Sequence, residues 1–263
     1  MPEGDTIHRS ARRLRNALAG RRVARFELRR DPKGVRPPAP GTTISAVDAR
    51  GKHLLMEFND GATLHTHMQM TGRWDVYGPG QRWRRPAHRA RVIIEVDDGT
   101  SAVCFDAPVV ELRRDSHRHA PSRAARSIAH LGPDLCDSDV DLDAALHNLD
   151  AVPPSTPVGD ALLDQRVASG IGNVFKSEIC WACRVSPLRP LGSIDPADRR
   201  TIMETAHEML VANVDRERRT TYGRSVAVYR RAGRPCPRCR TPVRAQRTGD
   251  PPRLTFWCPA CQP

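Results

Sequence analysis

Four cysteines near the end of this 263-residue chain limit what it can fold into more than any other feature. They form the pattern Cys-x2-Cys-x18-Cys-x2-Cys, made by Cys236, Cys239, Cys258 and Cys261. Two thiolates two residues apart fit one side of a tetrahedral metal site, and two such pairs complete the tetrahedron around zinc. Disulfides and redox pairs are the alternatives, and disulfides are rare in a cytoplasmic chain. The pattern predicts one structural Zn2+ ion, with the segment between the pairs forming a β-hairpin.

Cys180 and Cys183 repeat the two-residue spacing, but no further pair remains to complete a second tetrahedron. Packing within a helix is the favoured interpretation of these two residues, and a redox role is the alternative. Cys104 and Cys136 are isolated in the sequence.

The N-terminus carries reactive groups. Removal of Met1 leaves Pro2 as a secondary amine, which can attack an aldehyde-like carbon and form an iminium. An α-amino group titrates near 8, roughly two units below a lysine side chain, so more of it is free base at neutral pH. Glu3 follows directly and can move protons at the same carbon. Because proline is common everywhere, Pro2 needs support from the rest of the chain.

The charge of the chain predicts a polyanionic partner. Its formal net charge is +12 and its pI is near 10.1, with 42 basic residues against 30 acidic ones. A coding bias toward arginine explains part of the count but not the excess, so nucleic acid is favoured over a membrane surface. The sequence has no apolar run of about 18 residues and no signal peptide, which predicts a cytoplasmic protein without membrane spans. Lysine is rare, with only Lys33, Lys52 and Lys176.

Hydrophobic periodicity divides the chain in two. Residues 7–20 predict an amphipathic helix that ends at Gly20. Short β-rich runs separated by turn signals follow, which predicts an antiparallel sandwich or barrel. These runs are residues 22–28, 43–48, 53–58, 62–68, 91–96 and 101–105, and a proline-rich loop occupies residues 32–40.

The second half predicts helices and then a return to short strands from about residue 225. The last helix has a clear start, with Asp195 as the N-cap and Pro196 in the first helical position. The predicted helices are residues 122–130, 139–149, 157–168, 173–183 and 195–215.

Residues 162–181 contain a glycine turn between two predicted helices. A helix ends near Ala168, Gly170 and Gly172 form a tight turn, and a new helix begins at Asn173. Glycines allow close backbone approach and a helix N-terminus presents free amides, so this combination predicts a phosphate site. A simple connector between packed helices is the alternative.

Four separated segments, in this order, resemble the formamidopyrimidine-DNA glycosylase/endonuclease VIII family. They are Pro2–Asp5, Arg50–Leu54, residues 162–181 and the C-terminal cysteine pairs. The resemblance covers nearly the whole chain, and its opening is more similar to the endonuclease VIII branch. The Gly-Lys-His-Leu segment and the Cys-Pro-Ala-Cys-Gln ending look most like actinobacterial enzymes of the second endonuclease VIII type.

The resemblance implies an α+β multidomain fold and its boundaries. A helix-flanked antiparallel β-sandwich would occupy residues 1–125 and carry catalysis. A helical helix–two-turn–helix domain would occupy residues 126–224 and bind DNA, and a β-hairpin zinc finger would occupy residues 225–263.

The resemblance also implies residue roles. Pro2 would be the nucleophile at the deoxyribose C1′, Glu3 the acid/base group, and Lys52 a catalytic lysine on an early strand that engages the phosphate or sugar.

Asn173 and Arg253 would hold DNA phosphates, with Tyr229 as a further phosphate contact. Gln69 and Met70 would fill the space left by an everted base, although the small Thr71 stands where an aromatic residue often follows. Glu178 lies in the motif and is open to a purely structural role.

The resulting hypothesis is a bifunctional glycosylase and abasic-site lyase of base excision repair, acting by β- and δ-elimination through a Pro2 Schiff base. Oxidised pyrimidines are the expected lesions, and damaged DNA is the expected partner, as duplex or single strand. We expect a monomer in the cytoplasm, associated with the nucleoid. Two alternatives are a non-catalytic DNA-binding protein on the same scaffold and a zinc-ribbon module of translation or transcription.

Overall fold

The computed structural model describes residues 2–29, 35–114, 128–223 and 225–263. Within these ranges the chain divides into two compact units. The first comprises Pro2 and the described residues from Thr6 to His130, and the second comprises Glu3–Asp5 with the described residues from Leu131 to Pro263. None of the helices in these ranges is long and apolar enough to cross a membrane.

The N-terminal helix α1 spans Gly4–Leu18. Ile7, Ala11 and Leu14 recur at helical spacing and are buried in the core of the first unit. The helix begins three residues before its predicted start and ends two residues before its predicted end. Gly20 follows with a φ of +77°, a left-handed conformation that glycine adopts without steric cost and that stops the helix.

Among the described residues of the first unit, eight strands form two antiparallel sheets. One sheet has the order β1-β6-β7-β5 and the other β2-β3-β4-β8. The strands are β1 Val23–Leu28, β2 Ile44–Arg50, β3 His53–Phe58, β4 Ala62–His67, β5 Arg73–Tyr77, β6 Ala90–Val96, β7 Ser101–Phe105 and β8 Val109–Arg114. A short 3-10 helix, Ala87–Arg89, precedes β6.

The predicted antiparallel sandwich with its flanking helix is confirmed, and all six predicted strands are present. Leu54 and Leu64 of one sheet and Ile94 of the other lie with the apolar face of α1 in a single buried cluster. Sequence reasoning missed β5 and β8, because charged residues such as Arg73 and Glu111 interrupt their apolar patterns. These strands are held by backbone pairing to β7 and β4.

The second unit is helical before its C-terminal hairpin. Its helices are α2 Leu142–Asp150, α3 Val158–Ala161, α4 Asn173–Ala182 and α5 Pro196–Val214, with a 3-10 turn at Leu191–Ser193. The predictions for α4 and α5 are confirmed to within one residue at each end, and α2 begins three residues later than predicted. The predicted helix over residues 122–130 lies largely outside the described residues.

The predicted helix over residues 157–168 is wrong. The chain is helical only over Val158–Ala161 and then continues as successive turns. Asp164 shows the physical reason, because its carboxylate accepts the backbone N–H of Arg166 at 2.9 Å and so offers the backbone an alternative to the helical bond. The helix expected to end near Ala168 is therefore a single turn.

The C-terminal hairpin consists of β9 Arg244–Thr248 and β10 Arg253–Trp257. The register pairs Arg253 with Thr248 and Trp257 with Arg244. The hairpin packs on α4 through a buried cluster that contains Trp181 and Phe256. The expected hairpin between the cysteine pairs is confirmed.

Candidate functional site

Glu3 forms an N-terminal cap on helix α4. Its side chain is fully buried, and its carboxylate accepts backbone N–H groups of Gly172 at 3.2 Å, Val174 at 2.8 Å and Phe175 at 3.2 Å. A carboxylate at this position satisfies free first-turn amides and matches the positive end of the helix dipole. Glu3 therefore fills three of the amides at which the sequence predicted a phosphate site, so a phosphate cannot bind those three.

The glycines of the motif allow the N-terminal segment to approach. A Cβ on Gly172 would lie 2.3 Å from the carboxyl carbon of Glu3, too close for any side chain. Gly170 has a φ of +106°, and its carbonyl accepts the N–H of Gly4 at 2.9 Å. The sequence correctly indicated a close approach at this turn, but the approaching group is Glu3 rather than phosphate.

A buried ion pair between Asp5 and Arg219 also holds the N-terminal segment in place. Asp5 is 1% exposed and binds the guanidinium of Arg219 through both carboxylate oxygens, one of them at 2.8 Å from Nε. The guanidinium carbon of Arg219 lies 4.7 Å from the ring centroid of Phe175, a cation–π contact. Sequence reasoning missed Arg219, since one arginine among many carries no signal.

Pro2 precedes α1 and is half-buried. Lys52 lies in the turn between β2 and β3 rather than on a strand as predicted, and Gly51 makes this turn with a φ of +56°. His53 and His67 are register partners on β3 and β4, so Lys52, just before His53, lies at the same sheet end as the turn that follows His67. The structure therefore brings Lys52 and the predicted gap-filling residues to one end of one sheet.

The turn after β4 presents Met70 to solvent. Gln69 has a φ of +44°, and the side chain of Met70 is 63% exposed, which is unusual for an apolar residue of this size. The hydroxyl of Thr71 donates to the carbonyl of Asp106 at 3.0 Å and braces the turn. This exposure excludes a buried core position for Met70.

Three histidines lie beside the Lys52 turn and were not predicted. Nδ1 of His53 is 2.8 Å from Nε2 of His65, and the ring of His67 is 4.7 Å from that of His53. Burial is the main cause that lowers the pKa of His53 to about 3, and the charges of neighbouring histidines and Lys52 lower it further. Burial likewise lowers the pKa values of His65 and His67, so this cluster is neutral near pH 7.

Asn173 binds the hairpin at Leu254, the residue after Arg253, where α4 meets β10. Asn173 is the first residue of α4, and its side-chain amide donates to the carbonyl of Leu254 at 2.7 Å. Arg253 is the preceding residue on β10 and is exposed. The side-chain oxygen of Asn173 is buried and has no hydrogen-bond partner among the described residues.

Lys176 is a buried lysine that sequence reasoning did not single out. Its side chain is 0% exposed, and Nζ donates to the hydroxyl of Thr255 at 2.6 Å. Burial lowers its pKa from 10.5 to about 8.

Glu178 anchors the segment before the hairpin. It is fully buried and accepts the backbone N–H groups of Ala227 at 2.6 Å, Val228 at 2.9 Å and Tyr229 at 2.8 Å, together with the hydroxyl of Thr221. These bonds give Glu178 the structural role that the sequence left open. Tyr229 is half-buried, with its ring against Phe256.

The four C-terminal cysteines form a cluster that could hold a metal ion, with ligand sulfurs all within 4.8 Å of one another. The Sγ atoms of Cys239 and Cys258 are 3.4 Å apart, and those of Cys236 and Cys261 are 3.9 Å apart. A tetrahedral site with Zn–S bonds of about 2.3 Å separates its sulfurs by roughly 3.8 Å, so the arrangement fits zinc. Trp181 donates its indole N–H to the sulfur of Cys236 at 3.4 Å, an outer contact that supports one ligand.

The other cysteine pair has the properties of packed side chains. Burial raises the pKa of Cys180 to about 12 and also raises that of Cys183, so neither thiol is activated for redox chemistry. Cys180 is buried in the core of the second unit, as expected for helix packing.

Sequence models of two protein domains match the chain. The formamidopyrimidine-DNA glycosylase N-terminal domain matches residues 1–108, and the formamidopyrimidine-DNA glycosylase H2TH domain matches residues 131–225. With the sandwich, the capped two-turn motif and the cysteine hairpin, these matches define a DNA glycosylase with abasic-site lyase activity.

The chain belongs to the formamidopyrimidine-DNA glycosylase/endonuclease VIII family. It is 47% identical to "Probable endonuclease 8 2" of Streptomyces coelicolor, over all of this chain and 94% of that protein. It is 38% identical to "DNA-(apurinic or apyrimidinic site) lyase Nei2" of Mycolicibacterium smegmatis, over all of this chain and 99% of that protein. The structure of MutM (Fpg) from Thermus thermophilus superimposes with a TM-score of 0.77 at 28% identity, covering 99% of this chain and 98% of that one.

Proposed function

We propose that this protein removes oxidised pyrimidines from DNA and cleaves the abasic product through a Schiff base on Pro2. The observation that carries the proposal is the anchoring of Glu3. Three backbone amides fix its carboxylate, so the acid/base group next to Pro2 has one defined position. Preorganisation of this kind is what a proton-transfer group requires.

The chemistry follows from these two residues. The amine of Pro2 attacks C1′ of the deoxyribose, and the base leaves with the electron pair of the glycosidic bond and takes up a proton. The nitrogen then loses its own proton and uses its lone pair to expel O4′ from C1′, which gives the iminium. Glu3 takes this proton from the nitrogen and delivers it to O4′ as the ring opens. A carboxylate has about four acceptor sites, and the three amides leave one for this proton.

The iminium makes the proton on C2′ acidic. Loss of that proton breaks the bond from C3′ to its phosphate, which is β-elimination, and a second elimination releases the phosphate at C5′. We assign Lys52 to the phosphate or sugar at this centre. Its location at one sheet end with Gln69 and Met70 supports this role.

The DNA contacts divide into backbone contacts and a wedge. We assign DNA phosphates to Arg253, Tyr229 and Asn173, with Arg253 supported by its exposure at the start of β10. Gln69 and Met70 enter the space left by the everted nucleotide, and the exposed Met70 supports this role.

We assign the cysteine cluster one structural zinc ion, which stabilises the hairpin and takes no part in the reaction. The hairpin has a small core of its own, so its folding depends on the metal.

The lesion preference rests on the segment between α5 and the hairpin. Arg219 is bound to Asp5 and Thr221 to Glu178, so the described part of this short segment is tied down rather than free to cover a bulky purine. An open pocket suits oxidised pyrimidines. The small Thr71 suggests that duplex opening is costly, which makes single-stranded and bubble substrates competitive with duplex DNA.

We further infer three functional parts, with catalysis in residues 1–125, DNA binding in residues 126–224 and the zinc hairpin in residues 225–263. The protein acts as a monomer on DNA, in the cytoplasm at the nucleoid.

Borohydride trapping tests the proposal. Untagged, zinc-loaded protein is mixed with abasic-site DNA and sodium borohydride, which reduces an iminium to a stable amine. We expect a covalent adduct on the N-terminal peptide at Pro2, and no adduct when one residue is retained ahead of Pro2. An adduct on a lysine would contradict the assigned nucleophile. Binding without any adduct would favour the alternative of a non-catalytic DNA-binding protein.

A further inference from the structure

Lys176 is buried at the junction of three elements and forms no direct ion pair with a carboxylate of the described residues. The aliphatic part of its side chain packs against α3, since a Cβ added at Gly159 would lie 3.3 Å from Cδ of Lys176. In the described part of the chain, the bond to Thr255 is its one hydrogen bond, and no carboxylate lies within 4.0 Å of Nζ. An ammonium group has three N–H donors, so two remain unused. Burying a charge in this way opposes folding, and folding alone gives no reason to keep it.

Lys176 belongs to a two-point contact between α4 and β10. Asn173 and Lys176 are three residues apart and share one face of the helix. They bind consecutive residues of the strand, the carbonyl of Leu254 at 2.7 Å and the hydroxyl of Thr255 at 2.6 Å. Together the two bonds fix the position of β10 along the helix.

The hydroxyl of Thr248 links this contact to the strand position of Arg253. The hydroxyls of Thr255 and Thr248 are 2.5 Å apart, and Thr248 is the register partner of Arg253. Residues two apart on a strand, and directly paired residues, point to the same sheet face. The side chains of Arg253, Thr248 and Thr255 therefore leave the hairpin on one face, and Lys176 contacts that face through the hydroxyl of Thr255.

The charges around Lys176 oppose one another. Burial is the main cause that lowers its pKa to about 8, and repulsion by the guanidinium of Arg253 lowers it further. Asp160 on α3 and the carboxylate of Glu3 act in the opposite direction, as would Cys180 on α4 if it were a thiolate. Burial raises the pKa of Cys180 itself to about 12, so that thiol does not change its protonation between pH 7 and 9.

We propose that Lys176 is a positioning charge for the phosphate contact of Arg253, and that DNA binding stabilises its protonated form. The inference rests on the proposed function, since it takes Arg253 to bind a phosphate. A phosphate at Arg253 offsets the repulsion between the two cations, so the lysine holds its proton more tightly in the complex. Because DNA then binds the protonated form more tightly, DNA affinity falls as the pH rises past the point where Lys176 of the DNA-free protein loses its proton.

The first test observes the lysine directly. Because the chain has three lysines, protein labelled with carbon-13 at lysine Cε gives three resonances. The resonance of Lys176 is identified by its absence in Lys176→Met, or by elimination with Lys33→Met and Lys52→Met if that variant does not fold. We expect this resonance to titrate near pH 8 in the free, zinc-loaded protein, and about one unit higher with a duplex that contains a tetrahydrofuran abasic analogue.

The second test measures affinity for the same duplex between pH 7 and 9.5 by fluorescence anisotropy. The tetrahydrofuran analogue has no aldehyde, so Pro2 cannot react with it. We expect affinity of the parent protein to fall about tenfold for each unit by which DNA raises the pKa. Lys176→Met and Arg253→Ala should bind more weakly at pH 7 and lose this slope. Arg200→Met removes one positive charge from an exposed position on α5 and should keep the slope.

Each outcome decides the matter. A resonance that does not move on DNA binding overturns the inference and leaves the proposed function intact. Equal slopes for the parent and Lys176→Met also overturn it, because the pH dependence then belongs to another group such as the Pro2 amine. Failure of the parent protein to bind the duplex contradicts the proposed function itself.

Discussion

Replacing Glu3 with glutamine should destabilise the protein as well as stop base excision. The carboxylate accepts three backbone N–H groups, with Oε1 bound to Val174 and Oε2 shared by Gly172 and Phe175. Glutamine has one acceptor oxygen and one NH2 donor. Whichever way the carboxamide turns, its NH2 faces at least one N–H group and that bond is lost.

The expected cost follows from the lost bond and the lost charge. A hydrogen bond to a charged group contributes about 1.5–3 kcal/mol, and a carboxylate at a helix N-terminus adds about 0.3–1 kcal/mol. Because Glu3 is fully buried, water cannot replace the missing acceptor. We therefore expect Glu3→Gln to lower the free energy of unfolding by about 2–4 kcal/mol, a large fraction of the roughly 5–15 kcal/mol of a typical domain.

Urea denaturation of the zinc-loaded protein measures this cost, and Trp181, near the C-terminal end of α4, provides a fluorescent probe in the capped helix. Glu208→Gln is the matched control, since Glu208 is exposed on α5 and undergoes the same chemical change. Single-turnover excision, measured where both variants are fully folded, separates catalysis from stability, and excision should fall more than DNA binding does. Equal urea midpoints for the two variants would refute the capping argument.

Other predictions follow from the same structure. Lys176→Met should raise the free energy of unfolding by ~3 kcal/mol at pH 7, because the pKa falls from 10.5 to about 8 on folding and each unit is worth about 1.4 kcal/mol. The folded state binds the proton less tightly than the unfolded state does. The parent protein is therefore destabilised by the full amount below pH 8, and this destabilisation disappears as pH rises toward 10.5. The difference in urea midpoint between Lys176→Met and the parent protein should shrink over that range. Arg253→Ala should keep its zinc, measured by metal analysis, but show a weaker salt dependence of DNA binding, because fewer phosphates are neutralised. Cys258→Ser should lose zinc, hairpin folding and DNA binding together, and a variant that binds and cleaves like the parent would contradict a required hairpin.

Much of the fold could be predicted because its signals are local. Turn residues and alternating apolar positions gave the strands of the sandwich, and Asp195 followed by Pro196 marked the start of α5. The spacing of the cysteines predicted their cluster before any geometry was known. Where the local signal is ambiguous the prediction failed, as in the segment after Val158, where the side chain of Asp164 competes with the helical backbone bonds.

The contacts of the site could not be predicted in the same way, because they join residues far apart in the sequence. A glycine turn before a helix indicates that something approaches the amides, but a phosphate and a carboxylate satisfy the same donors equally well. Only the fold shows that Glu3, about 170 positions earlier, fills them. The sequence could therefore propose Pro2 and Glu3 as the reactive pair, but not that the two-turn motif orients the carboxylate of Glu3.

Lys176 shows why one class of residue stays hidden. A lysine inside a helix predicts an exposed side chain, because lysine is almost never fully buried without a partner. In this protein α3, α4 and β10 surround Lys176, and no sequence pattern within the ten residues of α4 indicates that its side chain is buried. The rarity of lysine in this chain was the only available signal, since a composition that fills its surface with arginine has little reason to place a lysine at an ordinary exposed position. A lysine in an arginine-rich chain is thus more informative than its local sequence suggests, and here the structure assigns it to the face of the hairpin that carries Arg253.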